Sequence, residues 1–148
     1  MLHPHPILAN DRASRWLGIE VDRALFGDAQ ISMTVREEMV NGFGIAHGGI
    51  IFAFADTCFA LACNDPDAGP ATGPDAGPDA GPATITVASG ADINFVAPAF
   101  QGQTLTAVGR VVNRTGRSGI YDIRVTAGST LIAEFRGRSR TIPNPVPR

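Results

Sequence analysis

The chain has 148 residues, 44% of them hydrophobic and 18% charged, with a formal net charge of −2. That length suits one globular domain, which can bury enough surface to do without disulfide or metal staples. The slight negative charge offers no basic surface for nucleic acid, and all twelve basic residues are arginine.

The first twelve residues, MLHPHPILANDR, place prolines and polar residues where a secretion signal needs an apolar stretch, so no signal peptide is expected. Residues 4–17 read as an N-terminal helix, with Ile7, Leu8, Trp16 and Leu17 as apolar contacts. GIEVDRALFGD and AQISMTVRE then read as two strands joined by a turn around Gly27 and Asp28, with clear alternation at Ile31, Met33 and Val35. NGFGIAHGG follows as a glycine-rich loop. From about Gly48 to Asn64 the composition favours a helix that is apolar almost all round, the mark of a helix enclosed by other structure. Its apolar run at 50–63 is shorter than the roughly 18 residues that span a bilayer, and Asp56 interrupts it. Cys58 and Cys63 lie five positions apart, too far to bridge on one helix, so reduced thiols and a cytoplasmic setting are expected.

Residues 65–83, DPDAGPATGPDAGPDAGPA, form a low-complexity insert with three DAGP tetrads, expected as a mobile surface loop. Strands then follow one another. TITVASGADINFVAP alternates through Ile85, Val87, Ile93 and Phe95. QTLTAVGRVVNR, GIYDIRVTAG and TLIAEFRGRSRTI come next, and residues 143–148 read as a frayed tail. The pattern is α+β: one long antiparallel sheet wrapped around one central helix, the hotdog fold, in a single domain.

One residue breaks the apolar pattern. From Gly48 to Cys63, Asp56 is the lone charged side chain, and a carboxylate in such company is costly without a reason to be there. Gly48 and Gly49 open the helix, where unpaired backbone N–H groups and the positive dipole end favour a developing negative charge. Asp56 is therefore a candidate nucleophile or general base, and the Gly48 N–H a candidate donor to a carbonyl oxygen. A tight loop-to-helix turn and a polar seam of the helix are the plain structural alternatives.

NGFGIAHGGIIFAFADTCFALACN, continued by DINFVAPAFQGQTLTAVGRVVNRTGRSGIYDIRV and EFRGRSRTI, resembles the PaaI-type acyl-CoA thioesterases of phenylacetate degradation. The resemblance covers residues 10–142 apart from the insert. It implies hydrolysis of aryl- or acyl-CoA thioesters by a homotetramer built from dimers, with sites shared between subunits. It carries catalysis to Asp56 and the oxyanion donor to Gly48, and lifts His47 and Asn41 to site residues. Gly49, Thr57, Ser89 and Phe43 are further candidates for the substrate site, while Phe54 suits the core better than an aryl pocket. Arg117, Arg138 and Arg140 are candidates for pairing with CoA phosphates. No metal or separate cofactor is expected: His3 and His5 have no acidic companions, and CoA enters as part of the substrate. No membrane or nucleic-acid partner is expected either. Two other readings stand beside hydrolysis. A hydratase of the same fold needs a histidine and a carboxylate within a short motif, whereas His47 and Asp56 are nine positions apart. A non-catalytic acyl-CoA sensor would bind without turnover.

Overall fold

The structure, a computed structural model, describes residues 5–69 and 81–145. Six antiparallel strands form one sheet: β1 (Glu20–Leu25), β2 (Asp28–Thr34), β3 (Thr84–Phe95), β4 (Thr104–Thr115), β5 (Ser118–Ala127) and β6 (Thr130–Pro143). Their spatial order is β1-β2-β4-β5-β6-β3, so β1 and β3 are the edges. The long helix α2 (Gly48–Cys63) lies across one face, giving the hotdog arrangement expected from the pattern.

Helix and sheet meet closely because the strands carry glycine beneath the helix. A Cβ on Gly109 would lie 3.2 Å from the Cys58 sulfur, and one on Gly137 only 2.8 Å from the Phe59 ring. Glycine weakens a strand interior, and close approach by another element is the usual reason to keep it. The core between them holds Phe54, Ala55, Cys58, Phe59, Leu61 and Ala62 of α2, essentially without exposure. Phe54 is thus a core residue. Both cysteines are buried and unbridged, and desolvation pushes each thiol up to about 12, which makes them poor nucleophiles.

Three expectations need correction. The N-terminal helix is two pieces: a 3₁₀ turn at Pro6–Leu8, then α1 (Arg12–Leu17), because Asp11 caps a fresh helix by accepting from the Ser14 N–H at 2.9 Å. Leu17 is buried and Leu8 packs on the core, but Trp16 is exposed under the Arg36 guanidinium. In β3, Ile85 and Val87 do not share a face with Ile93 and Phe95. A bulge between Ala88 and Gly90 shifts the register, so Ile85 and Val87 pair with Ile142 and Arg140 on the outer face, and Ile93 and Phe95 with Phe135 and Ala133 on the helix face. At the C-terminus, Pro143 still belongs to β6, and Asn144 donates to the carbonyls of Ala83 and Pro82.

The insert leaves the fold from a fastened base. The Asn64 side chain pairs with both the N–H and the carbonyl of Thr86, and His5 Nε2 donates to the Asn64 carbonyl, 2.9 Å away. Residues 70–80 of the insert, residues 146–148 of the tail and His3 lie outside the described residues.

Candidate active site

The start of α2 is built by the loop before it. Asn41 folds this loop by accepting at Oδ1 from the N–H groups of Phe43, at 2.9 Å, and Ile45, at 3.4 Å. Gly44, at φ 82°, completes the turn in the left-handed region where glycine is favoured. The Ala46 N–H then donates to the Ala99 carbonyl, and the His47 N–H to that of Met39, each at 2.8 Å. These bonds fix the helix entry against the β3–β4 connection.

His47 is the N-cap. Its Nδ1 accepts from the Gly49 N–H at 3.0 Å, and its carbonyl accepts from Ile50 and Ile51. In the neutral ring that leaves the proton on Nε2. Of the first-turn amides, the Gly48 N–H is the one that no described group accepts, and a helix offers it no internal acceptor. Gly48 lines a cavity of about 480 Å³ with Asn41, Ile45, Ile51, Phe95 and Pro98. The walls are apolar and the positive end of the helix dipole opens into them, which suits a carbonyl oxygen gaining charge.

Asp56 lies eight positions further along α2, about 12 Å down the axis at 1.5 Å per residue. It is half-buried, and among the described residues no hydrogen bond or ion pair reaches its carboxylate. Burial raises its pKa above the ordinary 3.8. A desolvated carboxylate of raised basicity with free lone pairs is equipped to take a proton from water. It does not line the Gly48 cavity of its own chain.

The sequence comparison decides the family. The thioesterase superfamily model matches residues 43–133, a stretch that takes in the loop from Phe43 onward, the whole of α2, β3 to β5 and the start of β6. The chain belongs to the thioesterase superfamily. It is 36% identical to acyl-coenzyme A thioesterase PaaI of Escherichia coli (strain K12) over 139 residues, 93% of this chain and 88% of that one. The solved structure of the E. coli PaaI protein from the phenylacetic acid degradation operon matches with a TM-score of 0.80 and 35% identity, covering 95% of this chain and 91% of that chain. The structure of the TT0310 protein from Thermus thermophilus matches at 0.71 and 29%, covering 86% and 94%.

Around this thioesterase-type helix start the structure gathers Asn41, His47, Gly48 and Gly49, and holds the other candidates elsewhere. Gly49 has its N–H engaged by His47. Thr57 is no donor to Asp56, because its hydroxyl donates to the Ala53 carbonyl at 2.9 Å and lies 3.3 Å from the Ser14 hydroxyl. Phe43 is 90% exposed and lines no part of the cavity. Ser89 sits in the β3 bulge, donates to the Arg138 carbonyl, and lines a separate cavity of about 280 Å³. Arg138 is paired with Asp92 at 2.7 Å. Arg117 and Arg140 are exposed, have no ion pair among the described residues, and share one end of the sheet, where Ser118 stands opposite Arg140. Among the described residues no cluster of three or more metal-ligating side chains occurs. The opposite wall, residues 95–99, is not marked as a site by any motif in the sequence. Its signal was the apolar run FVAP at the end of an alternating strand, too apolar for an ordinary exposed loop.

Proposed function

We propose that this thioesterase-superfamily chain hydrolyses acyl-CoA thioesters, with aryl-acyl esters such as phenylacetyl-CoA or hydroxyphenylacetyl-CoA as the preferred class, to the free acid and CoA. The observation that carries the reading is the pairing, on one helix, of an open N–H at Gly48 with an unpartnered, desolvated carboxylate at Asp56. The E. coli relative is itself an acyl-coenzyme A thioesterase, and its structural counterpart comes from a phenylacetic acid degradation operon, which supports the substrate class.

The thioester oxygen accepts from the Gly48 N–H. Asp56 takes a proton from water as the oxygen attacks the carbonyl carbon, and the C=O electron pair moves onto the oxygen held at the helix start. Collapse of the tetrahedral species breaks the C–S bond, and the proton held by Asp56 returns to the leaving sulfur. Direct attack by Asp56 is the variant route, through an anhydride that water then opens. Asn41, whose Oδ1 is spent on the loop, keeps its amide N–H groups for the water or the substrate. His47 holds the helix start and offers Nε2–H to the same oxygen.

A reacting carbonyl must lie about 3 Å from both donor and attacking group, and the two groups are about 12 Å apart along α2. A second, antiparallel copy related by a two-fold axis near Phe52 brings the Asp56 of one chain to the Gly48 of the other. Two surface features support such a dimer. The twelve-residue β3 is an edge strand, and long open edges favour pairing. Phe43, Phe52, Phe95 and Val96 are exposed apolar residues near the helix start. A tetramer of two such dimers, Arg117, Arg138 and Arg140 toward the CoA phosphates, and a cytoplasmic setting suited to free thiols complete the reading. No helix of the described chain is long and apolar enough to cross a membrane.

The test follows free thiol from phenylacetyl-CoA with a thiol reagent and, in parallel, the absorbance of an enoyl-CoA. Thiol release supports the thioesterase. Loss of enoyl absorbance alone selects the hydratase, and binding without either selects the sensor.

A further inference from the structure

We propose that Phe95 contacts the substrate and selects aromatic acyl groups; this rests on the thioesterase reading above. Along the helix face of β3, Ala91 and Ile93 pack against the core, and Phe95 is next in the row. Its cross-strand partner Ala133 is fully buried, yet Phe95 is 54% exposed. The ring leaves the core and reaches over the helix start. Its Cζ lies 3.1 Å, and its Cε atoms 3.5 and 3.6 Å, from the point where a Cβ on Gly48 would stand. The tip of the ring therefore faces Gly48.

That contact explains the glycine. Gly48 does not have the positive φ that favours glycine at other positions in this chain, and a helix gains nothing from the freedom glycine adds. What glycine supplies is room for the ring beside the open amide. Among the described residues Phe95 is also the one aromatic residue lining the cavity, with aliphatic neighbours such as Ile45, Ile51 and Val96. It takes part in none of the aromatic pairs among the described residues, all of which lie around Phe52, Phe59, Tyr121 and Phe135.

An acyl group whose carbonyl oxygen sits at the Gly48 N–H must pass the Phe95 ring. An aryl ring one or two bonds beyond the carbonyl meets it edge-to-face or offset, while a linear alkyl chain gains contact area only. Aromatic pairing of this kind is worth about a 2- to 12-fold preference.

The experiment compares kcat/KM for phenylacetyl-CoA and hexanoyl-CoA in the wild type and Phe95→Leu, with Phe95→Met as the second apolar variant should Phe95→Leu not fold. We expect the phenylacetyl-to-hexanoyl ratio to fall about 2- to 12-fold in Phe95→Leu or Phe95→Met. A ratio that stays put, whether both rates are retained or both fall with dissociation of the oligomer, overturns the proposal and makes Phe95 a packing residue. A wild type that releases no thiol from either ester overturns the thioesterase reading itself. The two failures are thus distinct.

Discussion

Asp56→Asn keeps the side-chain volume and removes the charge, and the structure predicts opposite effects on rate and stability. The rate effect follows from the lost base: general-base catalysis contributes about 10²–10⁴-fold, or roughly 2.7–5.5 kcal/mol of barrier. The stability effect follows from the desolvated, unpartnered carboxylate, whose pKa is raised in the folded chain. The folded state then binds more protons than the unfolded one between the ordinary value of 3.8 and the raised value. Stability is lost as pH rises through that window, and the full penalty remains at neutral pH. Asparagine has no such penalty, so the variant should melt higher than wild type at pH 7 and level with it below pH 3.8. In the wild type, kcat should fall on the acid side with a midpoint above the ordinary carboxylate range, and the variant should lack that limb. The assays are thiol release across pH and calorimetry at two pH values. Near-normal turnover in a folded Asp56→Asn protein would refute the base assignment, and a lower melting point at pH 7 would refute the desolvated environment.

Two further substitutions probe the frame around the site. Gly137→Ala drives a Cβ to within 2.8 Å of Phe59, which is wedged against Tyr121 and Phe135 and cannot swing out. Overpacking should cost about 1–3 kcal/mol, and thermal melting should show the drop. His47→Asn keeps a capping acceptor but removes Nε2–H. Melting should stay close to wild type while kcat falls, whereas His47→Ala should also lose about 0.5–2 kcal/mol of stability.

The central helix was legible because apolar residues all round a segment of that length admit one kind of environment, and its bounds at Gly48 and Cys63 follow the glycine pair and the Asn64 cap. The strands were legible from alternation, except where a single extra residue in β3 reversed the faces. A bulge leaves the period of two intact on each side and changes only the phase, so Ile85 and Val87 looked equivalent to Ile93 and Phe95. In the N-terminal segment, the helical composition of 4–17 hid the capping strength of Asp11. Asn41, His47, Gly48 and Asp56 stood out because each is chemically misplaced in a plain core segment. Phe95 did not, since an aromatic residue ending a strand looks like packing until its ring is seen over Gly48. Thr57 and Ser89 carried hydroxyls at plausible positions, but nearer acceptors took them.

The most direct test of a site shared between two chains is complementation between Asp56→Asn and Gly48→Pro. Proline suits the first helical position, and His47 already has the extended backbone, φ −61° and ψ 134°, that precedes one, so the second variant removes the N–H and keeps the backbone of the helix start, while its Cβ, 3.1 Å from the tip of the Phe95 ring, makes that exposed ring shift aside. In a mixed dimer one site carries both lesions and the other carries neither. Each variant alone should be inactive, and subunit exchange or co-expression should restore up to about half the wild-type activity per mixed dimer. Folded variants that mix without regaining activity would place both groups in one chain and contradict the account.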